Sequence, residues 1–185
     1  MPRVHALKAR KAYKAEGIKK GETYYKWKRR HGPVQRSATY PRPSQLSSAK
    51  YAVVEDAQLD AESAICAASE PDEIKSALED LASCAREVAG EYTESADNME
   101  QAFTGGSPTI DDCREKADAL ESFADSLEGW DADTTELDNA QGALDEGKAK
   151  DSIEASELQK LTEAVDDALE EIRDDARQVA QEWSP

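Results

Sequence analysis

The chain has 185 residues and a formal net charge of −17, and only 6% of its residues are aromatic. This length predicts one domain, or one domain with an appendage, and the Ala-rich apolar content argues against the thick core of a parallel sheet or a barrel. No apolar run approaches the length of a membrane span.

The charge is unevenly divided along the chain. Residues 1–50 carry fourteen Lys or Arg and two acidic residues, a net charge of +12. Residues 51–185 carry nine Lys or Arg and thirty-eight acidic residues, a net charge of −29. Such asymmetry predicts different partners for the two parts.

The chain begins with a basic, Ala-rich segment over residues 1–16. Residues 4–13 predict a short helix, or an arm that orders on its partner. The more distinctive segment follows at residues 17–33, which are basic, aromatic and bracketed by glycines.

Alternation over residues 22–30 predicts a strand. The turn signal at His31-Gly32-Pro33 predicts a second strand over 34–40, and therefore a small β-ribbon. One predicted face of the first strand carries Thr23, Tyr25, Trp27 and Arg29, and the other carries Tyr24, Lys26, Lys28 and Arg30.

Cations and aromatic rings on both faces of this ribbon suit a polyanion with flat bases. Lys and Arg neutralise phosphates, and Tyr and Trp provide stacking surfaces. Two alternatives remain open: the rings form a small core with solvated cations around it, or the basic patch binds a protein or the acidic part of the chain itself. The candidate nucleic-acid-binding residues are Lys19, Lys20, Tyr24, Tyr25, Lys26, Trp27, Lys28, Arg29, Arg30 and Arg36.

A linker is predicted over residues 37–48, because Pro41 and Pro43 each restrain the residue before them. Ser44 then qualifies as the N-cap of a helix over residues 45–69. These signals divide the chain into a basic head, residues 1–43, and an acidic helical body, residues 44–185.

Heptad spacing of apolar residues organises the body. The seams predict a helix over residues 71–103, a turn near 104–108, and a helix capped by Thr109, which together imply an antiparallel hairpin. A short helix within 129–150 and a last helix over 153–183 follow. The predicted fold is mostly α: an acidic antiparallel helical bundle or coiled coil with a small basic N-terminal β-ribbon. Since Ala-rich seams bury little area, we expect a homo-oligomer.

The body offers no arrangement typical of an enzyme. The three cysteines and two histidines have neither metal-binding nor catalytic spacing, so we expect no enzymatic activity, no cofactor, no metal and reduced thiols. The acidic helix faces are interpreted as solvated surface, with pairing to the basic head or mimicry of a phosphate array as alternatives.

Several stretches carry a resemblance to a known group of proteins: KARK (8–11), GIKKGETYYKWK (17–28), RS (36–37), PRPSQL (41–46), YTESADNM (92–99), ALE (119–121) and LEG (127–129). They are similar to small uncharacterised proteins of tailed bacteriophages and prophages. The resemblance implies a phage setting and a location in the cytoplasm of a bacterial host, and it supplies no functional residues. The ribbon alone also resembles the small arm-binding modules of phage integrases.

The sequence therefore predicts a non-enzymatic nucleic-acid-binding protein, with DNA or RNA held by the ribbon. The helical body would oligomerise or bind a host or phage protein, and no membrane is involved. The alternative is a structural, scaffold or virion-associated coiled-coil protein whose basic head docks on an acidic protein surface.

Overall fold

A computed structural model describes residues 2–29, 32–102, 107–149 and 155–183. Over these residues the chain is mostly helical, with three short strands near its N-terminus, which confirms the predicted fold class. A 3₁₀ turn spans Lys14–Glu16. In chain order the strands and helices are β1 His5–Lys8, β2 Thr23–Lys28, β3 Val34–Ser37, α1 Pro43–Leu46, α2 Ala52–Ala67, α3 Pro71–Ala102, α4 Pro108–Glu128, α5 Thr135–Lys148 and α6 Ala155–Gln181.

The chain divides into two compact units, which we call the basic unit, residues 1–56, and the helical unit, residues 57–185. This boundary falls in the first part of α2, thirteen residues beyond the predicted boundary at 43/44. The basic unit contains fourteen Lys or Arg and four acids, a net charge of +10, and the helical unit has a net charge of −27.

The basic unit is built on an antiparallel sheet in which β2 lies between β1 and β3. In the register of the sheet, Lys26 of β2 lies between His5 of β1 and Arg36 of β3. Lys28 lies opposite Val34. The sheet thus brings residues from three separate stretches of sequence into neighbouring rows.

The strand β1 was not predicted, and the expected helix or arm over residues 4–13 is wrong. A helix of about ten residues is marginal in isolation, whereas pairing with β2 satisfies the backbone groups of β1. The return of the chain depends on Gly17 and Gly21, whose φ angles of 69° and 90° favour glycine. The Gly21 amide donates to the Ala9 carbonyl at 2.8 Å and ties the turn to the end of β1.

The second strand of the predicted ribbon is present but shorter than predicted, because β3 ends at Ser37. The Ser37 hydroxyl oxygen accepts a hydrogen bond from the Thr39 amide at 3.1 Å, a local contact that competes with strand pairing. The predicted turn at 31–33 lies partly outside the described residues. Its described part includes a hydrogen bond from the Gly32 amide to the Arg29 carbonyl.

The predicted helix over 45–69 is split into α1 and α2, and Ser44 is not its N-cap. Ser44 lies inside α1, and its hydroxyl donates to the Asp56 carboxylate. Between the two helices, the Ser47 hydroxyl oxygen accepts from the Ala49 amide at 3.0 Å. Serine side chains that bond to nearby backbone groups in this way favour turns over continuous helix.

In the helical unit, α3 and α4 pair in antiparallel orientation, as predicted. Arg86 of α3 pairs with Asp125 and Glu128 near the end of α4, whereas Arg114 near the start of α4 pairs with Glu100 near the end of α3. The predicted connecting turn falls largely on residues 103–106, outside the described part.

The helix α4 begins one residue before the predicted cap. Ser107, not Thr109, is the N-cap, and its hydroxyl oxygen accepts from the Thr109 amide at 3.3 Å. Pro108 occupies the first helical position, where its missing N–H leaves no hydrogen bond unmade.

Two further helices complete the helical unit. α6 packs on α5, α3 and α4. The Gln58 side chain of α2 donates to the Ala180 carbonyl of α6 at 2.9 Å, and Arg173 of α6 donates to the Ala68 carbonyl at 3.2 Å. The rings of Phe123 and Trp183 are stacked, with centroids 6.1 Å apart.

The heptad seams of α3 and α4 form the core of the helical unit, as predicted. Seven residues of the predicted α3 seam are buried: Ile74, Leu78, Leu81, Ala85, Val88, Tyr92 and Ala96. In the α6 seam only Leu169, Ile172 and Ala176 are buried. Its other described members are half-buried: Leu158, Leu161, Val165, Ala168, Val179 and Trp183. Among the described residues of the core, no charged or polar side chain is buried.

Candidate nucleic-acid interface

The register of the sheet assigns the side chains of β2 to two faces. Residues opposite each other in an antiparallel pair share a face, and successive residues alternate. The division agrees with the one predicted from alternation for residues 23–28. Face A carries His5, Leu7, Tyr24, Lys26, Lys28, Val34 and Arg36, and face B carries Ala6, Lys8, Thr23, Tyr25, Trp27, Gln35 and Ser37.

One end of face A is covered by a small aromatic core. Tyr24 is only 6% exposed and packs with Ala9 and Ile18. Its ring centroid lies 5.4 Å from that of Tyr13. Hydrogen bonding with Tyr13, and after it burial, raises the pKa of Tyr24 above its ordinary value. The ring of Tyr24 therefore has no free face on which a base could stack.

Arg36 closes the same end of face A. Its guanidinium carbon lies 4.8 Å from the centroid of the Tyr13 ring, and its Nη1 lies 3.6 Å from a carboxylate oxygen of Glu16. A cation that rests on a ring beside a carboxylate already has favourable partners. We expect Arg36 to stabilise the basic unit more than it binds an external anion.

Face B is covered by α1. The indole Nε1 of Trp27, a residue 4% exposed, donates to the Gln45 carbonyl at 3.3 Å. Arg29 donates from Nε to the same oxygen at 2.8 Å and from Nη2 to the Ser44 carbonyl. Both side chains thus hold the short helix against the sheet, and the guanidinium of Arg29 is occupied by backbone carbonyls.

A pair of tyrosines lies on the rest of face B. Tyr25 is half-buried, and its ring meets Tyr40 edge-on with centroids 5.3 Å apart. Tyr40 is 63% exposed and was not among the predicted binding residues. Of the three predicted aromatic residues, Tyr25 is the one that solvent reaches.

The other end of face A, around Lys28, is open and forms a groove of about 560 Å³. Within the described part of the chain, no carboxylate pairs with Arg3, Lys26 or Lys28. An anion that enters the groove meets three cations, and none of the described residues that line the groove is acidic. We call this surface the open groove, and it is lined by Arg3, His5, Leu7, Lys26, Trp27, Lys28 and Val34.

The structure separates the predicted cations into groups. Lys26 and Lys28 line the open groove, whereas Lys19 and Lys20 lie in the turn before the opposite end of β2. Five steps of about 3.3 Å separate the ends of this strand, roughly 17 Å. Arg30 lies outside the described residues.

Sequence reasoning missed two members of the open groove, Arg3 and His5. Both lie on or before β1, which was predicted to be a helix or arm. Arg3, His5 and Leu7 are spaced by two residues, the period of a strand. This spacing was the signal that could have placed them on one face.

The helical unit also contains a cavity, of about 360 Å³, between the start of α5 and the middle of α6. Five carboxylates line it, and one of them, Asp175, accepts a hydrogen bond from Trp130 Nε1 at 2.8 Å. Hydrogen bonds from Thr135 lower the pKa of another, Asp133, below its ordinary value. Across the described ranges, no three His, Cys, Asp or Glu side chains are grouped so that they could hold a metal ion.

Comparisons with known proteins do not assign the chain to a family. No protein-family model, curated protein or solved structure matches the chain. Among the described helices, none is both long enough and apolar enough to cross a membrane.

Proposed function

We propose that the basic unit binds nucleic acid through the open groove. The observation that carries this proposal is the convergence of Arg3, Lys26 and Lys28 on one open surface without a carboxylate partner in the described residues. Phosphates are the anions that such surfaces neutralise, with release of counterions from the nucleic acid.

The choice of the open groove as the binding surface is supported by the packing of the other predicted binding residues inside the unit. The rings of Tyr24 and Trp27 are packed inside the unit, and Arg29 and Arg36 have partners within the chain. The stacking roles predicted for these rings would require the unit to open. The proposal therefore assigns phosphate binding to the groove cations and gives the buried residues the role of holding the sheet in shape.

The test is fluorescence anisotropy with labelled DNA and RNA oligonucleotides over a series of salt concentrations. We expect Lys26→Ala with Lys28→Ala to weaken binding at least about tenfold at low salt. We also expect the slope of log K against log salt to fall by about two, one unit for each lost phosphate contact.

Lys19→Ala with Lys20→Ala is the matched control, because it removes the same charge from the same unit at the opposite end of β2. We expect this pair to weaken binding much less than the groove pair. Equal losses would show that binding depends on total charge and not on the groove. Absence of binding by the unmodified chain to every oligonucleotide would overturn the proposed function.

The helical unit has the opposite charge, so we assign it no part in phosphate binding. Its proposed roles are oligomerisation or the binding of a protein partner, which remain predictions. The phage setting, the cytoplasmic location and the alternative scaffold function also remain predictions.

A further inference from the structure

Two aliphatic side chains lie among the cations of the open groove. Leu7 and Val34 are each 41% exposed, although most large apolar residues of the described chain are buried. They belong to the two outer strands, on either side of the central strand that carries Lys26 and Lys28. Exposed aliphatic groups contribute nothing to a phosphate contact, but beside Arg3, Lys26 and Lys28 they give the groove an apolar surface as well as a charged one.

Single-stranded and double-stranded nucleic acids differ in this respect. In a duplex the flat faces of the bases are stacked inside, whereas an unpaired strand offers them to protein side chains. The groove of about 560 Å³ lies within the range of roughly 300–1,000 Å³ that is typical of small-ligand pockets. A groove of this size has room for an individual base.

We propose that the open groove is selective for single-stranded nucleic acid, an inference that rests on the proposed function. Bases pack against Leu7 and Val34, while Arg3, Lys26 and Lys28 hold the phosphates on either side. The cations supply the salt-dependent affinity and the aliphatic pair supplies the preference for unpaired bases.

Burial of the aromatic rings explains why the aliphatic pair has this role. The indole of Trp27 belongs to face B and donates to the Gln45 carbonyl, and Tyr24 is packed against Ile18. Trp27 lines the groove but is only 4% exposed, and Tyr24 is 6% exposed, so neither ring has a free face on which a base could stack. Contact with aliphatic groups is expected to be sequence-tolerant, because every base has an apolar face.

The experiment compares three labelled probes of equal length with the full chain: oligo-dT, the same sugar–phosphate strand without bases, and a duplex. We expect oligo-dT to bind about tenfold more tightly than the strand without bases, from the apolar area covered by each base. We expect the duplex to bind no more tightly than the strand without bases. This comparison requires no variant and therefore no assumption about folding.

A pair of variants then tests the residues. Leu7→Thr with Val34→Thr keeps residues that favour strands, and we expect it to lower the affinity for oligo-dT to that of the strand without bases. Its affinity for the latter should stay unchanged. The matched control is Val53→Gln with Leu59→Gln, which removes two exposed apolar side chains of α2 outside the groove and should leave the preference intact.

The outcomes separate this inference from the function on which it rests. Equal affinity for strands with and without bases, or tighter binding of the duplex, overturns the single-strand selectivity while leaving phosphate binding in place. Weaker binding of all three probes by Lys26→Ala with Lys28→Ala, at least about tenfold at low salt, together with the expected preference in the unmodified chain, supports both. Failure of the unmodified chain to bind any probe overturns both.

Discussion

The basic unit and the helical unit use charged side chains in different ways. In the helical unit the core is apolar, and the cations Arg86, Arg114, Arg173 and Arg177 all pair with neighbouring acids. In the basic unit Arg29 and Arg36 hold the structure together, and Arg3, Lys26 and Lys28 have no carboxylate partner within the described residues. The comparison teaches that position within the fold, more than total charge, separates structural cations from those that remain for a ligand.

The largest expected effect concerns the two cores. We expect Trp27→Ala to cost about 3–5 kcal/mol, comparable with the roughly 3–8 kcal/mol that a unit of this size contains, and therefore to unfold the basic unit. Two-dimensional amide NMR should show loss of the dispersed strand signals, while the helical far-UV signal remains.

The counterpart in the helical unit is Leu120→Ala, at a residue that is 0% exposed. It should cost about 2–5 kcal/mol and leave the dispersed strand signals of the basic unit intact. If either substitution unfolded both units together, their treatment as separate units would be wrong.

The next effect compares two arginines. Arg29 donates to two backbone carbonyls, and its removal leaves those acceptors without a charged donor, so we expect Arg29→Ala to destabilise the basic unit by about 1.5–3 kcal/mol. Arg86 forms a surface ion pair, and Arg86→Ala should cost about 0–1 kcal/mol. Denaturant titration monitored by amide NMR measures both. An equal cost would remove the distinction between structural and surface arginines.

The same substitution at two glycines should have opposite signs. Gly21 has a φ of 90° in the turn before β2, so Gly21→Ala should destabilise the basic unit by about 1–2 kcal/mol. Gly90 lies within α3 with no atom within 4 Å of an added Cβ, so Gly90→Ala should stabilise the helical unit by about 0.5–1 kcal/mol. Thermal unfolding of the two variants decides the signs, and a loss at Gly90 would contradict the open environment described for it.

The smallest effects depend on pH. Hydrogen bonds from Arg173, and after it Arg177, lower the pKa of Glu170. The contacts of the ionised Glu170 with these arginines therefore stabilise the helical unit above pH 4.5, and this contribution is lost as the pH falls through the lowered pKa. The pKa of Tyr24 is raised, so its contribution is present below pH 10 and is lost as the pH rises through the folded value. Glu170→Gln should reduce the acid sensitivity of the helical unit, and Tyr24→Phe should reduce the alkaline sensitivity of the basic unit. Unchanged pH profiles would show that other groups control them.

Local patterns predicted much of the fold. The seams of α3 and α4 repeat every three or four residues, and the strand β2 alternates, so both could be found from short windows of sequence. Elements that depend on distant partners were missed. The β1 segment favours helix by composition and becomes a strand because β2, fifteen or more residues later in the chain, pairs with it.

The candidate site was also predictable only where it depends on local sequence patterns. Lys26 and Lys28 were identified from composition, and the structure places both in the open groove. The hydrogen bonds of the Arg29 guanidinium could not be predicted, because their acceptors are the carbonyls of Ser44 and Gln45, fifteen and sixteen residues along the chain. Burial of Trp27 follows from the same packing of α1 on face B.

We propose that, among the described surfaces of the chain, the open groove is the one that binds nucleic acid. The most direct test is an amide and methyl NMR titration of the full chain with a short single-stranded oligonucleotide. We expect the signals of Leu7, Lys26, Lys28 and Val34 to shift first and to saturate together, while those of Lys19, Tyr40 and the helical unit stay in place. Shifts centred on face B or on the helical unit, or no shifts at all, would contradict the account.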